Sequence, residues 1–266
     1  MMALRQEAVP RPAATNVIAT LLEKRTGQQL QANRAWRIDS TLTPVLQARG
    51  LPDFDALALA LAQGRDGALA DAVIEALLNH ETSFFRDPGV LEQALSALAA
   101  RDRPIRIWSA GCATGQEPLS LAMLFAERGV PVEIHATDVS SAAIARARAG
   151  RYSQFEVQRG LPIGRLVRWF EPTGDDWCVR ADLNERIRYR RHNLAGDPVL
   201  PGGFDMILCR NVLMYFGLPM RRRVLDGLSD ALRPGGLVLL GAGETVIGQS
   251  ERLAPCREWR GFYAVV

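Results

Sequence analysis

From about residue 104 onwards, short apolar segments typical of strands alternate with segments typical of amphipathic helices. The predicted strands cover residues 105–108, 132–136, 187–191, 204–209 and 237–240, and predicted helices over 117–127, 140–149 and 218–232 lie between them. The segment Phe204–Cys209 is almost entirely apolar, as expected for a strand in the middle of a parallel sheet with both faces covered. We therefore predict a doubly wound α/β domain with a parallel sheet.

The first part of the chain has a different pattern. Apolar residues recur there at helical spacing, for example Phe54, Leu57 and Leu61, and Asp53 is placed to cap that helix. We predict a small all-helical domain over residues 1–88 and an α/β catalytic domain over 89–266. The pattern weakens between Tyr152 and Arg186, where a small antiparallel β excursion, about 152–190, is expected.

Composition excludes several classes of protein. A net charge of +3 is too small for a nucleic-acid-binding surface. No apolar run is long enough to span a bilayer, and Met1–Gln6 lacks the apolar core of a signal peptide. The four cysteines are far apart and have no histidines at metal-ligand spacing, which predicts reduced thiols and no bound metal. We expect a cytoplasmic protein, a monomer, with neither nucleic acid nor membrane insertion among its interactions.

A glycine-rich loop follows the first predicted strand. Its sequence is Ser-Ala-Gly111-Cys-Ala-Thr-Gly115-Gln-Glu117-Pro, and it leads directly into a helix. Glycines let a ligand approach the backbone closely at the carboxyl edge of a sheet. Glu117, in the first helical turn, would repel a pyrophosphate and favour a cation. The loop therefore points to S-adenosylmethionine, which carries an ammonium and a sulfonium, although a tight strand–helix turn without a ligand would have the same glycines.

Polar side chains follow three further strands of the same sheet. Asp138 ends the second strand, where a carboxylate can bind both ribose hydroxyls of a nucleoside or, alternatively, cap the next helix. Asn193 follows the third strand and could reach an adenine edge, and Arg210 and Asn211 follow the fourth. Because the carboxyl ends of parallel strands meet at one edge, we expect these residues to gather there.

These motifs, taken in order, resemble the CheR family of chemoreceptor glutamate methyltransferases. The resemblance rests on the glycine loop and on five further motifs: Glu81-Thr-Ser-Phe-Phe-Arg-Asp87, Thr137-Asp-Val-Ser140, His192-Asn-Leu194, Cys209-Arg-Asn-Val-Leu-Met-Tyr-Phe216 and Leu232-Arg-Pro-Gly-Gly236. It covers nearly the whole chain, including the helical front end. It implies a Rossmann-like class I methyltransferase domain that uses S-adenosylmethionine, without a metal, to methylate glutamates in the cytoplasmic helices of chemotaxis receptors.

The resemblance also assigns site residues. Arg86 and Tyr215 would lie nearest the transferred methyl group as catalytic residues. The cofactor pocket would be lined by His80, Thr82, Arg86, Gly111, Glu117, Asp138, Asn193, Leu194, Arg210 and Asn211. Two of the positions depart from the usual pattern: His80 stands where the family has asparagine, and Gln116 replaces a common acid.

A glutamate nucleophile needs no general base, because its reference pKa of roughly 4.3 leaves it ionised at neutral pH. The lack of a Ser/His/Asp arrangement is therefore consistent with this chemistry and disfavours a hydrolase. Two other functions stay open: a methyltransferase with a different substrate, and a non-catalytic module that senses S-adenosylmethionine or docks on receptors. At the residue level, Arg86 could instead pair with Asp87 or Glu81, and Tyr215 could pack against Phe216.

Overall fold

A seven-stranded sheet organises the larger part of the chain. Its strands are β1 (Ile105–Ala110), β2 (Val132–Asp138), β6 (Ile187–Arg191), β7 (Phe204–Cys209), β8 (Leu232–Leu240), β9 (Leu253–Pro255) and β10 (Phe262–Val265). They are arranged in the order β6-β2-β1-β7-β8-β10-β9. The first five are mutually parallel, whereas β10 runs antiparallel to both β8 and β9. The predicted doubly wound α/β fold is confirmed.

The strand order determines where a ligand can bind. The chain steps outward from β1 to β2 and β6, then returns to the other side of β1 to form β7. The direction of winding therefore reverses between β1 and β7, and the crevice at the carboxyl ends of these strands is the usual ligand site of such sheets. The helices Gln116–Glu127 and Ser141–Ala149 pack on β2 and β6, and Leu218–Ala231 packs on β8.

The computed structural model describes residues 12–30, 38–101 and 103–266. These residues form two compact units: the residues up to Asn79 together with Tyr215–Gly217, and His80–Met214 together with Leu218–Val266. The predicted domain boundary fell at residue 88, whereas His80 to Asp87 lie in the second unit. The segment Met1–Gln6, for which no signal peptide was predicted, lies outside the described residues.

The first unit is helical throughout the part that is described. Its helices are Pro12–Thr26, Ile38–Ala48, Phe54–Gln63 and Gly67–Leu77. Asp53 caps the third of these by accepting a hydrogen bond from Ala56 N at 2.8 Å. The core of the unit includes the fully buried Ile18, Leu42, Leu57 and Val73. Residues 215–217 belong to this unit because Gln29 N donates to Tyr215 O at 2.8 Å.

A second, smaller sheet interrupts the α/β pattern in the region where an excursion was expected. It consists of β3 (Arg151–Ser153), β4 (Phe170–Thr173) and β5 (Asp176–Val179), with β5 in the middle and antiparallel pairing throughout. Three short helices, Gln154–Gln158, Ile163–Trp169 and Ala181–Asn184, flank its strands. Phe84 contacts the rings of Tyr152 and Phe170 edge-on, at 5.1 and 5.6 Å between centroids. The small sheet is thereby anchored to the 81–87 segment.

Helix Pro88–Leu98 begins at the predicted domain boundary, with its proline in the first helical turn, where proline is well tolerated. None of the described helices has the length and apolarity needed to cross a bilayer.

Candidate active site

The glycine loop adopts a conformation that requires glycine. Gly111 and Gly115 have φ values of +79° and +95°. A Cβ atom at position 111 would lie 2.4 Å from a methyl group of Val212, so no other residue fits there without displacement. Gly111 N and Cys112 N donate to Thr137 O at 2.8 and 2.9 Å, which ties the loop to the end of β2. Tyr152 supports it from beneath, its hydroxyl donating to Thr114 O at 2.7 Å.

Asp138 is held at the end of β2 by two backbone groups. Its Oδ2 accepts from Ala113 N and its Oδ1 from Ser140 N, both at 2.9 Å. Ser140, not Asp138, caps the following helix, since Ser140 Oγ accepts from Ala143 N at 2.9 Å. The helix-cap alternative for Asp138 is therefore wrong, and its carboxylate lies against the glycine loop.

A buried guanidinium lies between two acids beside the loop. Arg210 NH1 contacts Glu117 Oε2 at 3.2 Å, and Arg210 NH2 donates to Asp87. Ser109 Oγ donates to Glu117 Oε1 at 2.7 Å, fixing the second carboxylate oxygen. The Arg210 side chain is only 3% exposed, and its Nε has no hydrogen-bond partner among the described residues. Two carboxylates around one guanidinium leave this side of the rim negative, which favours a cationic ligand.

The pKa of the Cys112 thiol is changed by burial and by the neighbouring acids. Burial raises the pKa of Cys112 well above its ordinary value, and the charges of Asp138 and Glu117 raise it further. The thiol is therefore neutral at physiological pH and is not a nucleophile. Burial likewise raises the pKa of Tyr152, so its hydroxyl stays protonated and continues to donate to the loop.

Arg86 pairs with Glu81, one of the two acids considered for it from the sequence. Arg86 NH1 lies 3.7 Å from Glu81 Oε2, and Arg159 donates to the other oxygen, Glu81 Oε1. Asp87, the alternative partner, pairs with Arg210 instead. The Arg86 side chain is about a third exposed and is not locked into a buried pair.

Backbone strain is concentrated in three segments of the site: residues 81–87, the glycine loop and the turn after β7. Within the described part of the chain, the non-glycine residues with positive φ are Phe85, Asp87, Ala113 and Asn211. Each such residue costs on the order of 1–3 kcal/mol and persists only where its surroundings enforce it. For Phe85, the enforcing contacts are its complete burial with Phe84 and the 2.9 Å hydrogen bond from its N–H to Ser120 Oγ. Strain of this kind is typical of functional sites.

Asn193 and Leu194 follow β6 beside Asp138. His192 N donates to Asp138 O at 2.9 Å, which brings the two strand ends together. Asn193 is nearly buried, and its Oδ1 accepts a hydrogen bond from Ala195 N at 3.0 Å. The amide oxygen of Asn193 therefore stabilises the turn that follows β6. Leu194 is half-buried. Both residues lie at the rim where the sequence analysis placed them.

His80 and Thr82 line a cavity of about 330 Å³ together with two residues of the glycine-loop segment, Thr114 and Gln116. The Nε2 atom of His80 is buried without a hydrogen-bond partner in the described residues. An orphaned imidazole nitrogen next to the loop suits a polar ligand atom, since leaving such a group unpaired costs about 1–3 kcal/mol.

Tyr215 lies in the first unit, where Asn79 Nδ2 donates to its hydroxyl at 2.7 Å. Phe216 forms an isolated β-bridge with Gln28. The packing of Tyr215 against Phe216, the alternative role for Tyr215, stays a prediction.

Glu244 is a site residue that the sequence analysis missed. It follows β8 and accepts from Asn211 N and Gly241 N, both at 2.8 Å, and from Met214 N at 3.2 Å. It therefore holds the strained turn at Asn211 in place. The available signal was an acid a few residues after the carboxyl end of a parallel strand, at the same sheet edge where Asp138 ends β2.

The donor set fits S-adenosylmethionine. Acids at 117 and 138, a loop whose glycines leave the backbone accessible and orphaned nitrogens on His80 and Arg210 provide both charge complementarity and hydrogen-bonding capacity. Among the residues the structure describes, no group of three or more His, Cys, Asp and Glu could hold a metal ion.

Comparison with known proteins identifies the family. The family model described as CheR methyltransferase, SAM binding domain, matches residues 80–261. The chain is 35% identical over 248 residues to a chemotaxis protein methyltransferase of Vibrio parahaemolyticus, covering 89% of this chain and 90% of the relative. It is also 35% identical over 240 residues to chemotaxis protein methyltransferase 1 of Pseudomonas aeruginosa, covering 85% and 87%.

Among solved structures, a TehB-like SAM-dependent methyltransferase of Corynebacterium glutamicum matches with a TM-score of 0.40 and 15% identity, over 68% of this chain and 97% of that one. This low similarity carries no inference about function. The family match and the two relatives do: the chain belongs to the CheR family of S-adenosylmethionine-dependent methyltransferases.

Proposed function

We propose that this chain transfers the methyl group of S-adenosylmethionine to glutamate side chains in the cytoplasmic helices of chemotaxis receptors. The observation that carries the proposal is the gathering of Glu117, Asp138 and the glycine loop at one sheet edge, in a chain whose relatives are chemotaxis protein methyltransferases. Methyl ester formation on receptors would adjust their signalling during adaptation.

Each part of the cofactor has a complementary group at the rim. Glu117 would accept hydrogen bonds from the methionyl ammonium, and Asp138 from the ribose hydroxyls. Asn193 and Leu194 would contact the adenine, while Gly111 lets the ligand lie against the backbone. When bound, the cofactor supplies a methyl group already activated by its sulfonium.

The protein's own residues have little chemistry to perform, because the glutamate nucleophile is ionised at neutral pH. They must orient the carboxylate and remove water from it, and orientation alone can contribute on the order of 7–11 kcal/mol. Arg86 would hold one carboxylate oxygen and leave the other to attack. A bidentate grip would lower the nucleophilicity of both oxygens, so we expect one-sided contact. As the family resemblance implies, Tyr215 would donate a hydrogen bond to the same carboxylate.

Glu81 has a defined part in this scheme. It faces Arg86 and would compete with the substrate carboxylate for that guanidinium, but Arg159 already occupies its other oxygen. Sharing Glu81 between two arginines weakens its attraction for either one. Arg86 is thereby kept near the site yet available to substrate.

The test is to incubate the protein with radiolabelled cofactor and receptor cytoplasmic fragments, and then to map the labelled residue. We expect label on glutamate, released by mild alkali as expected for a methyl ester. An alkali-stable label would contradict the proposal and would indicate a methyltransferase for another group. Absence of label despite cofactor binding would favour the non-catalytic alternative.

A further inference from the structure

A second cavity, of about 450 Å³, lies on one face of the large sheet, and none of its lining residues belongs to the glycine loop. Its lining comes from β1, β2, β6 and β7, from the last turn of the helix Ser141–Ala149 and from the loop before β7: Arg106, His135, Thr137, Arg148, Arg188, Tyr189, Arg190, Leu200, Pro201 and Phe204. In the sheet register His135 stands opposite Arg188, and Thr137 opposite Arg190, so these side chains share one face.

This face is open because of how the chain connects β6 to β7. Residues 192–203 contain no helix, although a crossover between parallel strands usually supplies one. The opposite face of β2 and β6 is covered by the helices Gln116–Glu127 and Ser141–Ala149. Leu200 and Pro201 of the connecting loop form only a wall of the cavity.

The charge of the cavity is one-sided. Four of its lining residues are arginines, and none is an acid. Within the described residues, the ion pairs of the lining side chains all go to one acid, Glu133, which is shared between Arg106 at 3.4 Å, Arg188 at 3.0 Å and His135 at 3.0 Å. The buried Asp205 accepts from Arg106 N, but its charge is balanced by Arg101, Arg103 and Arg233. Burial lowers the pKa of His135, so the imidazole is neutral near pH 7 and does not add to the positive charge. One carboxylate against four guanidinium groups leaves the cavity strongly positive.

Two of the four arginines that line the cavity are engaged in contacts within the protein. Arg106 lies over the Phe204 ring, 4.9 Å from its centroid, and donates to Gly202 O at 3.0 Å. Arg148 donates to Tyr189 O at 2.6 Å. These contacts hold both guanidinium groups in fixed positions on the cavity wall.

The other two are available to a ligand. The Arg188 side chain is 71% exposed and is paired with Glu133, which it shares with two other groups. Arg190 is exposed, and its side chain has no hydrogen bond or ion pair with any residue in the described ranges. A pocket of this size with fixed and free guanidinium groups suits a small molecule with two or more negative charges, because guanidinium forks match phosphate geometry.

We propose that this cavity binds a small phosphate-bearing molecule of the nucleotide or polyphosphate class. Arg188 and Arg190 would contact the phosphates, and the base of a nucleotide would lie along the guanidinium of Arg106. The site is separate from methyl transfer and does not depend on the proposed substrate.

The test is calorimetric titration of the intact protein with ATP after saturation with S-adenosylhomocysteine, so that the adenosine pocket at the glycine loop is already filled. We expect saturable one-to-one binding of ATP and none of adenosine. A parallel titration with pyrophosphate distinguishes an inorganic polyphosphate from a nucleotide as the ligand. If pyrophosphate binds as tightly as ATP, the ligand is an inorganic polyphosphate. If it binds more weakly than ATP, the ligand is a nucleotide. Either outcome supports a phosphate site.

The decisive variant is the pair Arg188→Gln and Arg190→Gln, which should weaken binding at least about tenfold, since charge-assisted hydrogen bonds contribute roughly 1.5–3 kcal/mol. The matched control, Arg222→Gln with Arg223→Gln, removes two arginines of the helix Leu218–Ala231 and should leave binding unchanged. Thermal melting checks that both variants are folded. The proposal is overturned if ATP and pyrophosphate show no saturable binding up to ~1 mM, or if both double variants bind alike.

Discussion

At the residue scale, Gly111 shows most directly how a single side chain would block the site. A Cβ atom there would overlap Val212 and would also need a positive φ. We expect Gly111→Ala to lower the free energy of unfolding by about 1–3 kcal/mol, as for other overpacked positions. It should also weaken binding of S-adenosylhomocysteine by at least about tenfold, equivalent to about 1.4 kcal/mol.

Gly129→Ala is the matched control, because Gly129 has a φ of +64° and open space around its Cβ position. That variant should show only the backbone cost, roughly 1 kcal/mol, with unchanged ligand affinity. Chemical denaturation and calorimetry on both variants provide the comparison. Equal ligand affinities in the two variants would contradict the assigned role of the loop.

Arg86 is the residue on which the proposed chemistry depends most. Arg86→Ala should reduce kcat/KM for receptor fragments by at least about 100-fold, the usual cost of losing an oriented electrostatic contact to reacting atoms. Because Arg86 is partly exposed, the variant should remain folded. Arg86→Lys should recover part of the activity. Initial rates of labelled methyl transfer measure the effect, and near-normal turnover by the alanine variant would refute the role.

Individual site residues differ in how well the sequence predicted their positions. Asp138 ends β2 and Glu117 lies in the first turn of the helix after β1, so strand and helix boundaries alone placed them at the rim. Glu244 and Tyr152 act by supporting loops, and their contacts span tens of residues along the chain. No local pattern encodes such contacts, because they arise only when the sheet and the small β excursion have folded.

At the element scale, the link between the 81–87 segment and the helix Gln154–Gln158 yields a further prediction. Arg159, which caps that helix, donates to Glu81. Without Arg159, Glu81 would bind Arg86 more strongly and compete with the substrate carboxylate. We expect Arg159→Gln to raise KM for the receptor roughly threefold to fivefold, the effect of an exposed ion pair of up to about 1 kcal/mol, with little change in kcat.

Arg151→Gln is the control for this prediction, since it removes another exposed ion pair of the same small sheet, with Asp176 at 2.8 Å. Steady-state kinetics should show an unchanged KM in that variant, and Arg159→Lys should restore the original value. An Arg159→Gln variant that lowers kcat alone would show that Arg159 acts through another route.

Parallel strands of the large sheet were predicted more closely than its short antiparallel strands. The strand Ile187–Arg191 and the strand Phe204–Cys209 have the predicted bounds. The strands Leu253–Pro255 and Phe262–Val265 were missed, because three or four residues are too few to show an alternating pattern. Both pair antiparallel at the edge of the sheet, so only the completed sheet specifies them.

At the scale of the whole molecule, two histidines, the buried His192 and the half-buried His135, make stability depend on pH. Burial lowers the pKa of both His135 and His192 below the ordinary value of about 6.5. The unfolded chain therefore binds protons first as the pH falls. Their contribution to stability is complete above pH 6.5 and is lost below it, by up to about 1.4 kcal/mol per histidine for each pH unit.

Urea unfolding at pH about 7.5 and about 5.5 measures this loss. The double variant His135→Gln, His192→Gln should lose less stability between the two pH values than the original chain. The quantity compared between the two proteins is the difference in free energy of unfolding between the two pH values. The effect of the substitutions on stability at a single pH cancels in that difference. An identical pH dependence in both proteins would contradict the assignment.

The central claim is that the carboxyl edge of the large sheet binds S-adenosylmethionine through Asp138 and the glycine loop. Calorimetric titration of the intact protein with S-adenosylhomocysteine tests it directly. One-to-one binding is predicted, weakened at least about tenfold by Asp138→Asn. Undetectable binding at high micromolar ligand, or equal affinity in the Asp138→Asn variant, would contradict the claim.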